Sequence, residues 1–116
     1  MQRTVQIGSV EVGMLCSAAS PIIYRGIFHK DFMRKVYEID KSKDEADSID
    51  LYSEMGFVMA MQAAKTLDEL SKLTEDDYIK WLDQFTPFEM VMACTEIAKL
   101  YNEQEKNLSV PKKEEG

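Results

Sequence analysis

The sequence predicts an α+β fold that is mainly α, with about four helices and a small N-terminal β-hairpin. Three observations predict it. Strict two-residue alternation of apolar side chains is confined to the first fifteen residues or so. Beyond them, apolar residues return every three or four positions, the helical period. Thr86-Pro87-Phe88-Glu89 adds an unambiguous helix start, with threonine at the cap, proline at the first position and glutamate at the third. At 116 residues, with 45% hydrophobic and 30% charged side chains, the chain has the length and composition of one globular domain.

In chain order, Val5 and Ile7 alternate with polar neighbours, Gly8-Ser9 interrupts, and Val10, Val12 and Met14 resume the alternation, which suits a hairpin. Two strands alone are marginal in water, so this ribbon must pack on something else. Ser20-Pro21 reads as a cap and first helical residue, opening a helix to about Ile39 with Tyr24, Phe28, Phe32, Val36 and Ile39 on one face. Residues 40–47 hold no large apolar side chain and read as a solvated linker. Asp40, Ser42 and Asp44 fail as a calcium loop, because Glu45 stands where glycine is needed and Leu51 where a bidentate glutamate is needed.

A second helix is expected from about Ser48 to Thr66, with Leu51, Met55, Val58, Met59 and Gln62 tracking one face. Gly56 inside it forfeits about 1 kcal/mol of helix propensity and so points to a close helix contact. Leu67, Leu70 and Leu73 form a short amphipathic segment. Thr74 then caps a helix carrying Tyr78, Trp81, Leu82 and Phe85, and the last helix runs from Pro87 to about Asn102 with Met90, Cys94, Ile97 and Tyr101 on one side. The domain is expected to occupy residues 1–106, and residues 107–116 to be a disordered tail.

The net charge of −7 repels nucleic acid and anionic membrane surfaces, and neither partner is expected. It is unevenly spread: residues 1–40 carry +1 and the remaining 76 carry −8, an asymmetry suited to head-to-tail association. No apolar run reaches the length needed to cross a bilayer. Cys16 and Cys94 lack metal or redox spacing and read as buried, reduced thiols, and His29 reads as a surface residue. No phosphate loop, metalloprotease pair, nucleophile elbow or dinucleotide fingerprint occurs, so neither catalysis nor a cofactor or metal is expected. Eight methionines stand out, with Met55, Met59 and Met61 clustered in the second helix. Flexible, polarisable thioethers suit both core filling and surfaces that adapt to non-identical partners.

The order of the pieces resembles the tail assembly chaperones of long-tailed, non-contractile phages. A small-residue segment, Ser17-Ala18-Ala19-Ser20-Pro21, leads into an Arg-x-x-Phe-x-x-Asp pattern at Arg25, Phe28 and Asp31. An acidic linker and the helix bearing Leu51-Tyr52-Ser53-Glu54-Met55 follow, and Trp81, Leu82 and Phe85 match a Trp-Leu-x-x-Phe element. The resemblance covers about residues 3–102, in short motifs whose weight comes from their order.

It implies a non-enzymatic chaperone of the host cytoplasm, absent from the mature virion. Such a protein coats the long helical tape measure protein, forms homo-oligomers, and recruits tail tube subunits through a longer frameshifted form, whose junction is expected near Pro111-Lys112-Lys113. Tyr24, Arg25 and Phe28, then Met55, Met59 and Met61, are the expected partner-contact residues. A competing reading is a small helical adaptor or inhibitor of one target protein. An enzyme with an unrecognised site is a third.

Overall fold

The computed structural model describes residues 2–42 and 45–109. It is mainly helical behind a two-stranded antiparallel hairpin, as expected, with six helices among the described residues rather than four.

Strands β1 (Gln2–Ile7) and β2 (Val10–Leu15) pair in the register Val5↔Val12 and Ile7↔Val10. The turn turns on Gly8, whose φ of 62° suits a residue without a Cβ at the first central position of a primed two-residue turn. Val5, Ile7 and Met14 are buried on one hairpin face, which packs on α3 and α6 through β2 and β1 respectively.

Helix α1 (Ser20–Phe28) is not capped by Ser20. Ala19 occupies the cap, and Ser20 is the first helical residue, fully buried. Its hydroxyl accepts from the Ser17 N–H at 3.0 Å and donates to Gln62 Oε1 at 2.7 Å, while Gln62 Nε2 donates to Ser17 Oγ at 2.8 Å. The serine that reads as a local cap thus ties the start of α1 to the far end of α3.

The expected single helix over residues 20–39 is two. His29 adopts the left-handed conformation (φ 59°, ψ 35°), with its N–H donating to the Arg25 carbonyl, and the chain re-enters a helix as α2 (Phe32–Ser42). Asp31 starts α2 by accepting from the Arg34 N–H at 3.3 Å. The linker expected over 40–47 is largely helical, because α2 runs to Ser42 and α3 (Glu45–Ala64) begins at Glu45. The two positions between them, 43 and 44, lie outside the described residues.

Helix α4 (Leu67–Leu70) starts at a capping box in which the Glu69 N–H donates to Thr66 Oγ1 and the Thr66 N–H donates to Glu69 Oε1. In α5 (Glu75–Leu82), Asp77 accepts from the Thr74 N–H at 2.9 Å, and the helix ends before Phe85, which sits half-buried in the following turn. Helix α6 (Pro87–Ser109) opens on the expected Thr86–Glu89 box, with bonds of 2.9 and 3.1 Å. It runs three residues into the stretch read as a tail. The remainder of that stretch, 110–116, lies outside the described residues.

Helix α3 is the spine. From Leu51 to Ala60 nearly every residue is buried or half-buried, because the hairpin, α1, α2, α5 and α6 all pack on it. Aromatic rings link these elements into one core: Phe28 meets Tyr78 edge-on at 5.2 Å, and Phe57 touches both Tyr78 and Trp81. Gly56 lets α6 approach, since a Cβ there would lie 2.7 Å from Ile97 Cδ1.

Candidate partner-binding surface

The expected contact residues divide sharply by burial. Tyr24, Phe28, Met55 and Met59 are core residues, from 0 to 4% exposed, and present no surface to another chain in this conformation. Met61 is half-buried and Arg25 is exposed. For Met55 and Met59 the physical reason is the position of α3, whose middle turns are enclosed by neighbours, whereas Met61 lies nearer its end and is only half covered.

Tyr24 and Glu54 form a polar centre under that core. The Tyr24 hydroxyl donates to Glu54 Oε1 at 2.5 Å, and Lys30 Nζ lies 3.3 Å from both Glu54 oxygens. Burial, then the adjoining Glu54 carboxylate, pushes the Tyr24 phenol far above its ordinary value. Nearby, Ser53 Oγ donates its one proton to the Asp50 carbonyl, so the Tyr78 hydroxyl, 2.7 Å away, donates to Ser53. Burial pushes Tyr78 up to about 12 and, with Asp50 adding to it, Cys94 up to about 11. These groups hold their protons too tightly to serve as bases near neutral pH. They brace the packing of α1 and α5 on α3.

A stability effect follows from these protons. The unfolded thiol and phenol release theirs near 9.0 and 10.0, whereas the folded chain keeps the Cys94 and Tyr78 protons to about 11 and 12. The contribution is therefore complete below pH 9 and is lost as pH rises through the folded values, each group removing less than the ideal of about 1.4 kcal/mol per pH unit because both are partly open to solvent. The urea midpoint is expected to hold steady up to pH 9 and fall progressively from there to pH 12. A flat midpoint across that range would place these groups in water.

An exposed apolar surface lies on α6. Its inner face buries Met90, Cys94, Ile97 and Tyr101, the stripe that the periodicity predicts. Its outer face carries Phe88 at 71%, Val91 at 42% and Met92 at 59% exposure. These positions are three and four apart, so they form one apolar ridge over the first two turns. The ridge runs into a groove of about 780 Å³ between α6 and the start of α3, lined by Val91, Thr95, Ala98, Ile49 and Tyr52, with Lys99 and Glu103 at its edge. Sequence reasoning missed Phe88, which it used only within the Thr86–Glu89 cap motif, and it gave Met92 no place among the contact residues. The available signal was that two large apolar residues remained on the polar side of an amphipathic helix.

Among the described residues, no group of three or more histidine, cysteine, aspartate or glutamate side chains is placed to hold a metal ion. No described helix is long and apolar enough to cross a membrane. No family model, curated protein or solved structure matches this chain.

Proposed function

We propose that this chain is a non-enzymatic binding module for an apolar helix face, acting as a phage tail assembly chaperone that shields the tape measure protein during tube polymerisation. The observation that carries the reading is the exposed Phe88–Val91–Met92 ridge continuing into the α3–α6 groove. Large apolar side chains side by side on a surface mark sites where another molecule is bound. A ridge spaced by three and four residues beside a groove suits the side chains of a helix lying along it. Met92 adds a flexible contact that accommodates successive, non-identical turns of a long partner. Recruitment of tube subunits by a longer form, and residence in the host cytoplasm, belong to the same proposal and rest on the resemblance alone.

Co-expression with a phage tape measure protein tests the reading. The chaperone is expected to render that protein soluble, with several copies bound per partner. The double variant Phe88→Glu/Met92→Glu is expected to lose this effect, with affinity falling by about a hundredfold. Its own stability should stay within about 0.5 kcal/mol, since both side chains are exposed. A partner that stays insoluble, or a variant that binds as well as the parent, would remove the proposal. A tight one-to-one complex with a different protein would favour the adaptor reading.

A further inference from the structure

We propose that the His29–Asp31 break is a hinge across which residues 2–28 can be exchanged between two copies of this chain. The break divides the molecule into an arm, made of β1, β2 and α1, and a body running from α2 onward. The arm packs mainly on α3 and α6, through Val5, Ile7, Met14, Tyr24, Ile27 and Phe28. All of these partners lie on the body side of one short segment, so the body of a second copy offers an identical seat. Exchange then leaves the core contacts unchanged and alters only the hinge.

The hinge itself favours two arrangements. Residues 27–32, Ile-Phe-His-Lys-Asp-Phe, contain neither proline nor glycine. The apolar row Tyr24, Phe28, Phe32, Val36 passes through at four-residue steps without a phase change, so an unbroken helix from Ser20 to Ser42 keeps all four on one face. The folded-back form instead holds His29 in the left-handed region, which disfavours any residue with a Cβ. What offsets that strain is the Asp31 bond to the Arg34 N–H and the Lys30 ammonium on Glu54. A short strained connection balanced by a cap and one partly exposed ion pair invites exchange.

The position-29 side chain therefore sets the balance. His29→Gly removes the strain of the folded-back form and weakens the straight helix, whereas His29→Ala keeps the strain and strengthens the helix. Size-exclusion chromatography with light scattering, run on the full chain over a range of concentrations, is expected to show a dimer. Its association constant should rise about tenfold for His29→Ala and fall by at least about tenfold for His29→Gly.

Spin labels at Ile22→Cys on α1 and Leu67→Cys at the start of α4, both exposed sites, separate exchange from other modes of pairing. With doubly labelled chains diluted into unlabelled protein, the intrachain distance is expected to be short in the monomer and longer in the dimer. The straightened helix of 23 residues spans about 34 Å and carries the arm away from its own body. Association that is equal in all three proteins, or a dimer whose intrachain distance matches the monomer's, would overturn the proposal.

Discussion

Phe57→Ala is expected to destabilise the fold by about 3–5 kcal/mol, the largest effect of any single truncation in this chain. Phe57 is fully buried near the middle of α3, and its ring faces Phe28 at 6.4 Å, Tyr78 at 5.5 Å and Trp81 at 5.6 Å. Those three rings belong to α1 and α5, so removing the central one leaves a cavity that no single helix can collapse into. A domain of this size has about 5–15 kcal/mol of stability in all, so the variant should be near the edge of folding at physiological temperature. Trp81→Ala provides the comparison. Trp81 is 8% exposed and touches Phe57 and Phe85, at the end of the ring network rather than its centre. It should fall at the lower end of the same range, about 3 kcal/mol. Urea titrations of both variants would check the ranking, and a Phe57→Ala midpoint above that of Trp81→Ala would show the core to be centred elsewhere.

Gly56→Leu should be nearly as damaging, through the opposite error. A Cβ at position 56 already lies 2.7 Å from Ile97 Cδ1, and Ile97 is itself fully buried. A leucine would have to drive α6 away from α3, at about 3 kcal/mol. Alanine is a finer probe, since its gain of about 1 kcal/mol in helix propensity opposes the same crowding. The clash resides in one methyl group, so Ile97→Val should be destabilising alone and much less so, or even stabilising, beside Gly56→Ala. A double-mutant cycle reads that coupling directly. Independent, additive effects would mean that the two helices are farther apart than described.

The hairpin and α6 were the most legible parts of the chain, for reasons that lie close together in sequence. Gly8-Ser9 between alternating valines and isoleucines needs no distant information, and the Thr86–Glu89 box closes on itself within four residues. The break at His29 was illegible because its local preferences are helical. What decides it is Lys30 reaching Glu54 on α3 and Phe32 inserting against Tyr52 and Tyr101, contacts separated by 20 or more residues. Ser20 misled in the same way, its hydroxyl being claimed by Gln62, 42 residues on.

Met55 and Met59 turn out to be buried because a stripe on a helix shows which residues share a face, not which face meets water. The run Met55-Gly-Phe-Val-Met-Ala-Met61 is apolar on every side and for that reason belongs to an enclosed helix. Phe88 and Met92 are the reverse case. They lie on a helix whose inner stripe is complete without them, so they stay outside.

Because β1 rests on α6, about ninety residues separate two elements that pack together in the folded chain. During synthesis the first strand leaves the exit tunnel long before its seat exists. The native core is therefore completed only after most of α6 is released, and the β1 side of the nascent arm spends that interval with Val5 and Ile7 short of their full cover. Arrested nascent chains should accordingly resist proteolysis only at lengths that free most of α6.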